Sequence, residues 1–301
     1  MLGERAWSVW SCDAHLLVTD PTVLDAAFEI AVRRLAQIAD ACDRFRPDSE
    51  VRRLLGGVPT PVSPMLQQLV HAAVETARAT DGLCDPTLGA AVRALGYDRD
   101  FRLVLDDDRP VRVVVRPRLA WQAIVIADGR LTVPEGVELD LGATAKAFAA
   151  DLVAQEIATD LDCGVLMNIG GDMATAGVAP SGGWQVLVRD LPDDPAARIA
   201  LHDGFALATS STQRRSWRRG GEQVHHIVDP RTGRAAADGW RTVSIVAPTA
   251  VQANGVATAA IVAGTDAEAW LGDTDLPVRL VGRDGIVRTL NGWPDESQEV
   301  D

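Results

Sequence analysis

From Leu24 the apolar residues Leu24, Phe28, Ala31, Leu35, Ile38 and Cys42 recur at alternating spacings of four and three. That rhythm puts them on one helical face and predicts a core-packing helix. A second helix is predicted from Ser63-Pro64, which supplies N-cap and first-turn chemistry, with Leu66, Leu69, Val70, Ala73 and Ala77 inward and Asp81-Gly82 as its stop. His71 reads as a half-exposed residue of that helix. A third helix is predicted from about Thr249 to Gly264, and it carries Asn254 and Thr258 one turn apart on one side. Between the first two helices, Pro47 disfavours helix at Arg46, so RFRPDSEVRRLL reads as a loop with Ser49 or Asp48 capping a short helix after it. Asp85-Pro86-Thr87 reads as a turn that opens a helix.

Strand patterns fill the rest. AWSVWSCDAHLLVTD suggests one strand of imperfect alternation, and RDFRLVLDDDRPVRVVVRP suggests two short strands around an acidic, solvated turn. AIVIADGRLTVPEGVELDL reads as a hairpin turning at Asp128-Gly129. WQVLVRD, RIALHD, FALATS, RTVSIVAP, LPVRLVG and IVRTL are further short strands, and VHHIVDPRTGR is a strand ending in a proline-containing turn. The organising stretch runs from Leu139 to Asp172: a short apolar strand delivers Asp140, Gly142 breaks it, and a helix begins with Lys146 and Asp151 near its first turns. A second strand, GVLMNI, then enters Gly170-Gly171-Asp172. Strand, glycine and helix N-terminus are the parts of an anion site, although a glycine at such a junction also serves simply as a turn.

Composition narrows the function. With 301 residues, 47% of them hydrophobic, the chain is long enough for one or two domains with a sizeable core. No repeat or low-complexity linker divides it, so residues 1–293 read as one domain, with room for two lobes, and residues 294–301 as an acidic flexible tail. Twenty-nine basic against 42 acidic side chains leave a formal charge of −13, which opposes nucleic-acid binding. Cys12, Cys42, Cys84 and Cys163 are scattered singly, unlike a zinc site or disulfide scaffold. No apolar run approaches the ~20 residues of a membrane span, and the first residues lack a signal-peptide pattern. A cytoplasmic location is expected, or export if a leader has been trimmed.

The pair LDLGATAKAFAAD and NIGGD resembles the signature of the ApbE-type flavin transferases, the FAD:protein FMN transferases. CDRFRPDSEV, GLCDPTLGAAV and HIVDPRTGR with VSIVAPTAVQANGVATA resemble further family segments and stand in the family's order. The resemblance implies an α+β fold with a mixed or antiparallel sheet flanked by helices and FAD bound between lobes. It implies Mg²⁺-dependent transfer of FMN from FAD to a Ser or Thr hydroxyl of an acceptor flavoprotein, with release of AMP. Carried over by position, FAD contacts fall on Leu2, Phe45, Leu83, Cys84, Asp85, Asp140, Lys146, Asn168, Gly170, Gly171 and Ile227. Leu2-Gly3-Glu4 takes the place of the family's Met-Gly-Thr turn, Cys84 that of a common Phe, and Ser211 that of a glycine in a Thr-Ser-Gly segment followed by arginines, here Arg214 and Arg215. Mg²⁺ ligands fall on the carbonyl of Ala143 and the side chains of Asn254 and Thr258. His226 is the implied proton-handling residue, ahead of His225, while either read alone is a strand histidine beside a turn.

One departure bears on activity. The family pattern A-D-x-x-x-T is here Ala253-Asn254-Gly255-Val256-Ala257-Thr258, so a neutral carbonyl replaces a carboxylate. Two other readings therefore stand beside transfer: hydrolysis of FAD to FMN and AMP on the same site, and a non-catalytic FAD-binding protein. The sequence carries no P-loop pattern that would favour a nucleotide-binding module without flavin.

Overall fold

The computed structural model describes residues 1–114, 119–237 and 239–294. The chain opens with an antiparallel hairpin, β1 (Gly3–Val9) and β2 (Cys12–Val18). The single strand expected over this segment is thus two, because Trp10 and Ser11 take φ of 50° and 58° and reverse the chain. Gly3 and Glu4 correspondingly open a strand, with Leu2 just before it, and do not form a turn. Helix α1 (Leu24–Cys42) buries Leu35 and Ile38 as its periodicity requires. The loop after it is tied by Ser49, whose hydroxyl donates to the carbonyls of Asp43 (2.7 Å) and Arg46 (3.0 Å). Ser49 still stands at the N-cap position of the short 3-10 helix Glu50–Arg53, but its side chain does not cap it. Ser63 does cap α2 (Pro64–Ala79), accepting from the N–H of Leu66, and Asp81 and Gly82 follow with positive φ.

Strand β3 (Thr60–Pro61) joins β4 (Val125–Ala127) and β5 (Arg130–Thr132) in a small sheet whose turn is Asp128-Gly129. Helix α3 (Gly89–Ala94) follows the Asp85 turn. The acidic stretch holds no strand among its described residues: it contains a 3-10 turn at Phe101–Leu103 and an isolated bridge from Asp107 to Arg219. Residues 115–118, the end of that predicted pair, and 295–301, most of the predicted tail, lie outside the described residues. The approach to Asp140 is not a strand either. It is extended chain held by the Gly89 N–H on the Glu138 carbonyl (3.0 Å) and the Asp140 N–H on the Pro86 carbonyl (2.9 Å). Gly89 is required here, since a Cβ would stand 2.7 Å from the Glu138 oxygen.

Helix α4 (Gly142–Leu161) leads to β6 (Val165–Ile169), β7 (Asp172–Ala176), β8 (Trp184–Val188), β9 (Ala197–Leu201) and β10 (Ala206–Ser211). Then come β11 (Ser216–Arg219), β12 (Glu222–His225), β13 (Val228–Asp229), β14 (Arg234–Ala235), β15 (Trp240–Ala247), α5 (Ala250–Ala263), α6 (Ala267–Gly272), β16 (Val278–Gly282) and β17 (Val287–Leu290). Eight strands form the main sheet in the order β1-β2-β6-β7-β10-β15-β16-β17. Every neighbouring pair in it is antiparallel, which settles the choice between a mixed and an antiparallel sheet.

Alternation along the strands assigns the two faces. Val165, Met167 and Ile169 of β6 pack with α1, α2 and α4, while Ala208, Val243 and Ile245 pack with α5 and α6. The opposite face, with Leu166 and Leu207, is covered by the β8–β9 hairpin through Trp184, Val186 and Ile199. Fully buried side chains such as Leu16, Ile157 and Met167 each contribute about 1.5–3 kcal/mol through removal from water. A satellite cluster of Leu95, Tyr97, Trp217 and Val224, with Phe45 and Phe101 against it, stands beside α3. No helix among the described residues is long and apolar enough to cross a membrane.

Candidate functional site

On the helix-facing side of the sheet, β7 begins with Asp172, which is 1% exposed. Its register partner on β10 is Ala208, so Ser210, two residues on, points to the same side. Helix α4 brings Lys146 onto Asp172 Oδ2 in a buried ion pair. Helix α5 brings Asn254, whose Nδ2 donates to Asp172 Oδ1 at 2.8 Å. The amide orientation is forced, because an ionised carboxylate only accepts. Thr258, one turn on, sits 3.4 Å from Asn254 Oδ1 and 3.0 Å from Ser210 Oγ. The result is a polar chain of Lys146, Asp172, Asn254, Thr258 and Ser210 built from four elements of the fold.

The spacing between α4 and α5 is set by Asp151. Its carboxylate accepts from the N–H groups of Ala250 (2.8 Å) and Val251 (3.0 Å), the free donors at the start of α5. Burial pushes the Asp151 carboxyl up to about 6; the two backbone donors oppose that rise and the nearby Asp172 charge adds to it.

A second group adjoins the first at the β6–β7 turn. Gly170 takes φ of 61°, and a Cβ on it would meet Cys12 Sγ at 2.8 Å, so the turn needs glycine on both counts. Cys12 Sγ in turn lies 2.9 Å from Arg215 Nη2, and Arg215 Nη1 lies 3.2 Å from the Tyr97 hydroxyl. Arg44 pairs with Asp140 at 3.1 Å, donates to the Tyr97 carbonyl at 2.8 Å and covers the rings of Phe45 and Tyr97. Asp140 also accepts from the N–H of Gly142 at 2.8 Å, which starts α4. His226, half-buried, is fixed through its backbone N–H on the Arg215 carbonyl (3.2 Å), and its buried Nδ1 has no hydrogen-bond partner among the described residues. Burial, then the charges of Arg215, His225 and Lys146, push the His226 imidazole well below its ordinary value of 6.5. It is therefore a neutral base at pH 7, facing cations.

The expected site residues divide. Asp140, Lys146, Gly170, His226, Asn254 and Thr258 belong to these two groups, and Phe45 borders them under Arg44. Leu83 and Ile227 pack into the α5 cluster, Ile227 in its interior. Cys84 is buried beside them, with its thiol pushed up to about 12 by burial and then by the charges of Asp85 and Asp140, so it packs and does not react. Asp85 Oδ1 accepts from the Thr87 N–H and hydroxyl, closing the turn before α3. Leu2 and Asn168 are not brought to this place. Both line a cavity of about 420 Å³ on the hairpin side of the sheet, with His15, Met173 and Trp184. Asn168 reaches only the rim of the turn, where its Oδ1 accepts from the Gly171 N–H at 3.0 Å. Ser211 also points to that side, toward the buried Asp190, which Arg214 (2.8 Å) and Thr242 (3.2 Å) share. Arg214 is thus a structural ion-pair partner, while Arg215 joins the candidate site. His225 faces away as well, with Nε2 3.2 Å from the Ala236 carbonyl. It lines a separate cavity of about 650 Å³ behind the β11–β12 hairpin.

The donor set expected for Mg²⁺ does not fit that ion. Ala143, Asn254 and Thr258 offer three neutral oxygens, whereas Mg²⁺ commonly takes one or two carboxylates. The carboxylate within reach, Asp172, is committed to Lys146 and Asn254, and the Lys146 ammonium stands where a second cation would be repelled. Among the described residues no group of three or more His, Cys, Asp or Glu side chains is placed to hold a metal. The sequence does not single out Cys12, Arg44 or Tyr97 for this site and does not tie Asp172 to Asn254, whereas Ser210 falls in the segment that resembles the family's Thr-Ser-Gly.

Comparisons with known proteins agree with this architecture. The model of the ApbE family matches residues 10–280. The chain is 31% identical to the FAD:protein FMN transferase of Treponema pallidum over 79% of its own length and 72% of the relative's. It is 26% identical to the Klebsiella pneumoniae enzyme of that name, over 87% and 80%. Against the Salmonella typhimurium protein of that name it is 28% identical, spanning 61% of that relative. In three dimensions it is similar to an ApbE protein from Thermotoga maritima, with a TM-score of 0.83, 24% identity and coverage of 99% and 100% of the two chains. The apo flavinyl transferase ApbE of Pseudomonas stutzeri superposes with a TM-score of 0.80 at 21% identity, over 96% and 95%.

Proposed function

Since the chain belongs to the ApbE family, we propose that it transfers the FMN half of FAD to a Ser or Thr hydroxyl of an acceptor protein and releases AMP. In the step, the acceptor's hydroxyl oxygen bonds to the FMN phosphorus and the bond from that phosphorus to the bridging oxygen breaks. AMP leaves with the bridging oxygen, and the hydroxyl proton passes to His226. The observation that carries the reading is the neutral, half-buried imidazole of His226 fixed beside Arg215 and near Lys146. A base that takes a proton while cations receive the phosphate charge is what substitution at a pyrophosphate needs. The α4 N-terminus, where Asp140 accepts from the Gly142 N–H, turns the positive end of the helix toward the same region. No step in this reading runs through a divalent ion, given the neutral donors at Ala143, Asn254 and Thr258.

The test is AMP release from FAD, read by chromatography, together with in-gel flavin fluorescence of an acceptor carrying a Ser/Thr flavinylation site. AMP with a fluorescent acceptor band, lost in His226→Ala, is the expected result. AMP with free FMN and no labelled protein would instead establish hydrolysis, and FAD recovered intact would overturn both.

A further inference from the structure

The charges around the candidate site do not cancel within the protein. Three cationic side chains, Lys146, Arg44 and Arg215, stand with two carboxylates, Asp172 and Asp140. Lys146 is matched by Asp172 and Arg44 by Asp140. Arg215 is left with the Tyr97 hydroxyl and the Cys12 sulfur, and it makes no ion pair among the described residues. Asp100, whose carboxyl is held low by the Ser11 hydroxyl first and by the Arg215 charge among the lesser causes, is spent on that hydroxyl (2.5 Å) and the N–H of Arg102 (2.9 Å). A half-buried guanidinium with no carboxylate bonded to it is costly unless an anion completes it. Its planar donor fork suits phosphate oxygens.

The other half of the observation is Asn254. A carboxylate at that position would face Asp172 across 2.8 Å, and two like charges so close demand a cation between them. The amide removes the demand, because it donates to Asp172 directly.

We propose that Arg215 and Lys146 together hold the pyrophosphate of FAD in place of a divalent cation, so that this protein binds and cleaves FAD without Mg²⁺. The proposal rests on the FAD reading above and adds to it a positively charged side-chain pair in the role of the cation. Arg215 supplies the net charge, and Lys146, steadied by Asp172 and Asn254, supplies the fixed second donor.

Wild-type protein stripped with EDTA is titrated with FAD by quenching of flavin fluorescence, with and without millimolar MgCl₂, and AMP release is followed in the same two buffers with the Ser/Thr acceptor protein added. The expected dissociation constants agree within ~3-fold, and AMP appears in EDTA. Arg215→Gln, which keeps a hydrogen-bonding side chain toward Tyr97 and Cys12, is expected to weaken FAD at least ~10-fold in EDTA, and Arg215→Lys to recover part of the loss. Asn254→Asp is expected to acquire Mg²⁺ dependence, visible also as heat of binding when Mg²⁺ alone is titrated. FAD that binds only with Mg²⁺, or Arg215→Gln that binds FAD like wild type, overturns the cation-pair proposal and leaves the flavin transferase reading standing. FAD that binds in neither buffer overturns both.

Discussion

Asp151 gives the sharpest physical test of how the site is held. Its folded value of about 6 against 3.8 for a free carboxyl means that the native state holds a proton more tightly than the unfolded chain. A group raised in this way contributes stability that is full below pH ~4 and is lost as pH rises through about 6. The whole swing, about 2.2 units at 1.36 kcal/mol each, is about 3 kcal/mol. The chain has a calculated pI of 4.8, so the usable range starts above that point of minimum solubility. Between pH 7.5 and about 5.3 the linkage relation leaves about 1 kcal/mol of this swing to be seen. Asp151→Asn keeps the size and one acceptor for the start of α5 but cannot titrate. Urea unfolding followed by tryptophan fluorescence should therefore show wild type gaining about 1 kcal/mol over Asp151→Asn on going from pH 7.5 to pH 5.3. Two stability curves that run parallel over that range would refute the argument that burial, and not the two backbone donors, governs this carboxyl.

Three further outcomes are expected. Lys146→Met strands a buried carboxylate and should cost about 3–5 kcal/mol, most of it recovered in Lys146→Met/Asp172→Asn, so a double-mutant cycle with no coupling between the two sites would contradict the buried pair. Ser211→Ala removes a donor from the buried Asp190 and should cost about 1–3 kcal/mol in urea unfolding while leaving FAD affinity unchanged, because Ser211 points to the hairpin side. Since His226 is held well below 6.5, kcat/KM for transfer should stay level from neutral pH down past 6, and a rate that halves near pH 6.5 in step with an ordinary histidine would count against it as the base.

Local signals were readable wherever neighbouring residues decide the structure. The alternating spacing that starts at Leu24, the Ser63-Pro64 cap, the Asp128-Gly129 turn and the Thr249–Gly264 helix all came from interactions within a few residues. The turn at Trp10-Ser11 gave no sign, because neither residue advertises positive φ. The approach to Asp140 looked like a strand, since extended chain held by Pro86 and Gly89 carries the same apolar pattern as a sheet strand. For the site, the family resemblance named Lys146, His226, Asn254 and Thr258, but residue order alone does not say which face of a sheet a side chain takes. That depends on strand pairings such as β6 with β2, which separate Asn168 and Leu2 from Lys146. The Asn254–Asp172 bond spans 82 positions and Arg44–Asp140 joins segments still more remote, so neither could be seen before the sheet was assembled.

Strand β10 carries a consequence for how such a sequence can drift. Ser210 turns toward Thr258 while Thr209 and Ser211 turn toward Ser244 and Asp190. Substituting any one of them disturbs one side of the sheet, but inserting or deleting a single residue within Ala206–Ser211 would exchange the two sets, sending Ser210 beneath the hairpin and a neighbour into the site. Selection on this strand should therefore act on its length before its composition. Among diverging relatives, gaps should be rarer here than substitutions, and one preserved count of residues would keep two unrelated chemistries in register.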